Sequence, residues 1–327
     1  MTIKDGAVIE WLLSSDPSIR WQVMRDLLCE PEPVWSAERN KIVTEGWGKE
    51  LFSYQDADGQ WAGGSFAPSD ATREEFEKAQ PFNSTAWVLT ELREMGLNPD
   101  CASAQRTVKL VGENCRWDHD GQRFWDGEVE ECINGRAAAD GAYFGVDMAP
   151  LIKTLLETRL NDGGWNCERE RGSVRSSIDS TISVLEGLLE FERATDGGTP
   201  ESREGRRSGE EYLLKRDMFR RLTTGQPVKE KYTELLFPSR WHYNILWGLD
   251  YMRATSLYDG KKPDPRLKEA IEILRSKRTK DGKWLLEWDH PGRRWVNMNE
   301  GVGKPSKWLT LKALRVLKWW DESQGSN

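Results

Sequence analysis

Apolar residues recur at intervals of three and four through FNSTAWVLTELREMG (82–96), APLIKTLLETRL (149–160), SSIDSTISVLEGLLEFERAT (176–195), HYNILWGLDYMRAT (242–255) and SKWLTLKALRVLKWW (306–320). That spacing lines one face of an α-helix. Runs rich in Val, Ile and Thr with a period of two are nearly absent, so the pattern predicts an all-α protein without a sheet of any size. One turn recurs between helices: DADGQWAGG (56–64), DHDGQRFWDG (118–127), NDGGWNCE (161–168) and KDGKWLLEW (280–288). Glycine after Asp stops a helix and allows a tight turn, and the aromatic that follows can cover the exposed end of the hairpin. Trp61, Trp165 and Trp284 are therefore predicted to cap hairpin ends.

Outward from these turns, one helix series starts near Phe82, Asn134, Ser176, His242 and Ser306 and is rich in apolar and small residues. An alternate series over 101–116, 147–160, 205–222 and 264–279 carries more Lys, Arg and Glu. Two concentric rings of helices require such alternation, since inner helices are covered on most sides and outer ones on one. The turns form a degenerate repeat of one helical pair, which predicts about six hairpins in a single domain over 1–327. Within it, the polar, glycine-rich stretch 194–212 reads as a flexible charged loop around 195–210.

Composition narrows the partners. The net charge of −7 argues against non-specific attraction to nucleic acid or anionic membrane surfaces. No run of about 18 apolar residues occurs, and the N-terminal MTIKDGAVIEWLLSSD lacks the basic segment of a signal peptide, so a soluble, cytoplasmic protein is expected. Five cysteines without a CxxC pair fit reduced thiols. Seventeen tryptophans outnumber the nine phenylalanines and seven tyrosines, so the large rings must line packing surfaces or a pocket.

The DGxW-type turns followed by small-residue helices resemble the repeats of squalene and oxidosqualene cyclases and of protein prenyltransferase β subunits. DGGWNCE (162–168), RSSIDSTISVLEGLLE (175–190), FPSRWHYNILWGLDY (237–251) and GKPSKWLTLKALRVLKWW (303–320) look like a bacterial squalene-cyclase-like, prenyltransferase-repeat branch of that superfamily. The resemblance covers nearly the whole chain and implies a single (α/α)₆ toroid with a small, largely apolar, terpenoid-like substrate in its cavity. The superfamily's cyclase motif, Asp-x-Asp-Asp-Thr-Ala, is matched only at Asp179 and Thr181, with serines at the two flanking acid positions. Its zinc motif, Asp-x-Cys followed by a distant His, is matched at Asp179, whereas Thr181 stands for the cysteine and Trp308 lies near the histidine position.

Candidate chemistry therefore divides into acid catalysis and a rebuilt zinc site. Cys132, Cys167, Asp179 and His242 all fall at starts or mouths of inner helices and are competent zinc-ligand types. For catalysis the candidates are Asp179, His242, Tyr243 and Glu130, with Trp165, Trp241, Trp247 and Trp308 as ligand-binding walls whose faces would stabilise cationic intermediates, as a cyclase, isomerase or transferase requires. Structural roles compete at each position: a first-turn helix acid for Asp179, small buried hydrophobes for the cysteines, a hydrogen-bonded wall residue for His242. A glycoside-processing enzyme, using paired carboxylates and Trp-lined clefts, and a non-catalytic binding toroid remain open. P-loop, GxGxxG, GxSxG and HExxH motifs are absent.

Overall fold

The computed structural model describes residues 3–324. Helix accounts for 56% of the chain, and among the described residues strand pairing is limited to isolated bridges. The 3.6-residue spacing thus gives the all-α protein it predicts. The α-helices are α1 Ile3–Leu13, α2 Pro17–Gln22, α3 Glu32–Arg39, α4 Gly46–Ser53, α5 Arg73–Lys78, α6 Thr85–Met95, α7 Ala102–Asn114, α8 Glu131–Tyr143, α9 Ala149–Glu157, α10 Ile178–Ala194, α11 Pro200–Leu214, α12 Ile245–Asp259, α13 Lys268–Ser276 and α14 Lys307–Gln324. No described helix is long and apolar enough to cross a membrane.

Two compact units divide the chain. One comprises Met1–Lys49, Leu213–Asp289 and Asn297–Asn327, the other Glu50–Tyr212 and His290–Val296. They are called the first and second unit below.

The recurring turn is one physical device used three times. Trp61, Trp165 and Trp284 are fully buried. Each donates its indole Nε1–H to the carbonyl ten residues upstream, on Leu51, Leu155 and Leu274, at 2.7, 2.5 and 2.8 Å. Each also donates its backbone N–H to a threonine in the first turn of a later helix, Thr85, Thr181 and Thr310, at 3.1 Å in every case. The indole thus ties the end of one helix to the start of another, which is the predicted capping role. The glycine before it is required: Gly59, Gly163 and Gly282 sit at φ +91°, +103° and +79°, where a side chain is strained. The turn at 118–127 is a variant, with Trp117 donating to the Phe124 carbonyl at 2.8 Å and stacking on its ring at 4.6 Å.

In the second unit, α8 and α10 cross where side chains are missing. A Cβ on Gly135 would stand 2.5 Å from the Ser183 backbone, and one on Gly187 would stand 2.7 Å from the Gly135 carbonyl. Ala137, Ala138 and Ala139 continue the small surface, all buried. Ser177 caps α10 by accepting the Ser180 N–H at 3.0 Å.

The stretch read as a flexible charged loop around 195–210 is instead largely α11. Thr199 and Ser202 cap each other's backbone N–H groups at 3.0 and 3.1 Å. Arg206 is fully buried and holds Glu192 at 2.9 Å and Glu210 at 2.8 Å. Charges that read as a solvated stretch are consumed pairwise, which allows the segment to pack as a helix.

In the first unit, Asn244 caps α12 through the Trp247 N–H at 3.1 Å, and Gly260, at φ +64°, closes its far end. Arg315 on α14 reaches both Asp250 on α12 and, at 3.3 Å, Asp26.

Candidate functional site

The densest cluster of reactive side chains lies in the second unit, where α8 begins. Glu130 is the N-cap of α8, and Cys132 sits one residue inside it. Cys167 belongs to the turn that Trp165 anchors, so the indole that closes one hairpin also sets the position of a thiol two residues later. The Cys167 N–H donates to Ser180 Oγ at 3.1 Å, which fastens that loop to the first turn of α10. A ligand atom from each of Glu130, Cys132 and Cys167 lies within 4.8 Å of the other two. Cys132 Sγ is 3.6 Å from Glu130 Oε2.

The two thiols shift each other in opposite directions. The hydrogen bond from Cys132 holds Cys167 down to about 7 against the opposing effect of burial, and the Ser180 hydroxyl adds to the lowering. Ser180 can supply its proton because it accepts from the Ser177 hydroxyl at 2.9 Å. Cys132, as the donor and more deeply buried partner, is pushed well above the ordinary thiol range. Burial, and then the neighbouring Glu128, raise Glu130. One thiol lowered toward neutrality, one raised thiol and one carboxyl raised by burial therefore share a small volume.

Beside them Glu131 is buried and accepts from Arg169 Nε at 2.6 Å, while its Oε2 is buried with no hydrogen-bond partner. Asp179 occupies the first turn of α10 and is half-buried. It is not in the cluster of mutually close ligand atoms.

The remaining residues singled out from sequence belong to the first unit, apart from Trp165. His242 and Tyr243 are buried in an aromatic cluster: His242 lies 5.0 Å from the Trp288 ring, and Tyr243 packs edge-on to Tyr232 at 5.0 Å. Trp247 is buried, and Trp308 is fully buried between Phe237 at 4.5 Å and Trp47 at 6.3 Å. Trp241 is 41% exposed. Trp165 is not a ligand wall, because both its N–H groups and its whole ring are committed to the hairpin end.

Sequence reasoning named Glu130, Cys132 and Cys167, which come together, but it divided them between catalytic and metal roles. Ser180 and the Arg169–Glu131 pair were missed. The signal for Ser180 was present, since Ser177 and Ser180 stand three apart at a helix start, the spacing of a capped first turn. Neither models of protein families nor curated proteins give a match to this chain, so the site is read from its own chemistry.

Proposed function

We propose that the second unit carries the metal centre of an enzyme, with Glu130, Cys132 and Cys167 as three ligands of a zinc ion and the fourth position open to substrate or water. The observation that carries this reading is the convergence, to within 4.8 Å, of a carboxyl and a thiol at the start of α8 with the Cys167 thiol of the turn that follows Trp165. Ligand atoms around tetrahedral zinc stand about 3.3–3.8 Å apart at the usual bond lengths, so the trio needs to contract by no more than about 1.5 Å. Three protein ligands with one open position is the pattern of catalytic rather than structural zinc. When bound, the ion supplies Lewis-acid polarisation of a substrate oxygen or of water.

The chain's own residues account for the rest. Cys167 offers a thiolate near neutral pH, Ser180 fixes its orientation from outside the ligand set, and the bond from half-buried Arg169 to buried Glu131 stiffens the start of α8. A small, largely apolar, terpenoid-like substrate and a closed (α/α)₆ arrangement are part of the proposal. They rest on the resemblance of the turn motifs, whose geometry recurs at Trp61, Trp165 and Trp284.

Elemental analysis of the full chain should find about one zinc per molecule. Cobalt substituted for it should give a thiolate-to-metal absorption band that weakens in Cys132→Ser and in Cys167→Ser. A metal-free protein that shows no saturable cobalt band overturns the proposal. The hydrogen bond between the thiols favours a second reading, a nucleophilic Cys167 thiolate poised by Cys132 without metal. In that case alkylation of Cys167 proceeds equally fast with and without added zinc.

A further inference from the structure

A cavity of about 490 Å³ in the first unit, separate from the thiol cluster, is walled by the end of α12, the end of α14 and the segment around Arg25–Cys29. Six cationic side chains line it, Arg25, Arg253, Lys261, Lys262, Arg315 and Lys318, against Asp26 and Glu322. This is an unusual wall for a chain whose net charge is −7.

The floor is where the imbalance is fixed. Asp250 accepts from Arg253 Nε at 3.0 Å and from Arg315, and Lys312 approaches it at 3.7 Å. Asp26 is shared by Arg25 at 2.6 Å and Arg315 at 3.3 Å. Four cations thus lean on two carboxylates. Arg253 and Arg315 are only 12% and 10% exposed, so water screens this surplus poorly. Burial lowers the Arg253 guanidinium, Asp250 opposes that, and the neighbouring Arg315 adds to the lowering.

The C-terminal ends of α12 and α14 contribute roughly one negative charge equivalent, which offsets about half of a surplus of two. The Gly260 turn then folds Lys261 back over the end of α12, its N–H bonded to the Ser256 carbonyl at 2.8 Å; at the mouth Lys261 pairs with Asp259 at 2.7 Å and Lys318 with Glu322 at 3.5 Å, so the surplus stays at the floor and the mouth offers ammonium groups already held in place. Leu257, Pro263 and Trp319 give the wall an apolar side.

We propose that this cavity binds a small organic phosphate carrying at least two negative charges, its phosphate held over Arg253 and the mouth lysines and its carbon skeleton against Leu257 and Trp319. A recessed floor of buried guanidinium groups fits a compact soluble anion better than a flat lipid surface.

The test is calorimetric titration of the full chain with inorganic pyrophosphate at moderate salt. Saturable one-site binding is expected, weakening about tenfold in Lys318→Gln and again in Lys262→Gln, the loss of one charged contact each. Both substitutions lie at the mouth, and unchanged circular dichroism and melting temperature would show that the fold is intact. If a variant fails to fold, competition of pyrophosphate by chloride on the wild-type chain replaces it, with affinity expected to fall steadily as salt rises. No saturable heat, or equal affinity in both mouth variants and wild type, overturns the proposal. So does binding to phosphatidic acid vesicles, or to single-stranded nucleic acid, without binding to pyrophosphate.

Discussion

The turns at Trp165 and Trp284 are nearly the same object in two different units, and only the first of them holds a thiol. In both, the indole reaches a leucine carbonyl ten residues back and the backbone N–H reaches a first-turn threonine at 3.1 Å. In both, a serine at the helix start donates its N–H to the tryptophan carbonyl, Ser177 at 2.8 Å and Ser306 at 2.9 Å. The residue two past the tryptophan differs: Cys167 in one, Leu286 in the other. The residue just before the threonine differs too: Ser180 against Leu309, with Leu286 and Leu309 both buried. The frame is therefore shared, and Cys167 and Ser180 stand where the first unit's turn has Leu286 and Leu309.

That comparison makes its strongest statement about stability. Replacing Trp165 or Trp284 by Ala should cost about 3–5 kcal/mol, the scale for a fully buried indole, and the two losses should be similar because the hydrogen-bond pattern is the same. Urea denaturation of both variants checks this. If only one of them is destabilised, the two turns are not equivalent and the comparison fails. A smaller loss, about 1–3 kcal/mol, is expected for Thr181→Val and Thr310→Val, which leave the tryptophan N–H buried without its acceptor. Equal shifts in the denaturation midpoint would show that the threonine serves the frame in both units and the site in neither.

The frame was legible because it is written in local rules. Asp-Gly followed by Trp needs only a left-handed glycine and a buried ring, and both can be read from a few adjacent residues. The site was half legible. Cys132 and Cys167 stand out as thiols near helix starts, yet their meeting depends on how closely α8 and α10 approach, which Gly135 and Gly187 decide. Single glycines within helices say nothing of their partner until the crossing is known. The 195–210 stretch was misread for a related reason: the pairing of Arg206 with Glu192 is non-local, so its charges looked solvated. The first unit's aromatic residues were correctly seen as numerous, but ring-on-ring packing such as Phe237 on Trp308 uses the same residue types as a ligand wall.

Importing the first unit's residue into the second separates frame from function. Cys167→Leu, which copies Leu286, should remove zinc or cobalt binding at a stability cost of about 1–3 kcal/mol, the scale for adding carbon atoms to a packed position. Ser180→Leu, copying Leu309, should weaken metal binding about 10- to 100-fold, the usual scale for a residue that orients a ligand. Metal titration alongside thermal melting distinguishes these outcomes. A Cys167→Leu protein that still binds one metal would place the centre elsewhere.

The smallest effect is the most specific to the thiol pair, and it concerns pH in metal-free protein. Cys167, held at about 7 by the Cys132 hydrogen bond, is deprotonated in the folded chain while an unfolded thiol, near 8.5, still holds its proton. Between those values the unfolded state binds more protons, so stability should rise with pH; the contribution is complete above about 8.5 and disappears as pH falls through about 7. Cys132 acts in the opposite sense. Its raised value keeps its proton in the folded state after an unfolded thiol has lost it, so stability should fall again above about 8.5. The two slopes give a shallow maximum in the melting temperature near that pH. Alkylation gives the sharper readout, because Cys167 should react about tenfold faster per pH unit up to about 7 and then level off. In Cys132→Ala the donor is gone, and the levelling should move toward the ordinary thiol value near 8.5. The same substitution made at Cys29, an exposed cysteine of the first unit, should leave the Cys167 profile where it was. If the Cys132→Ala profile is also unmoved, the two sulfurs do not share a proton, and what sets the second unit apart is only the position of Cys167 on the turn.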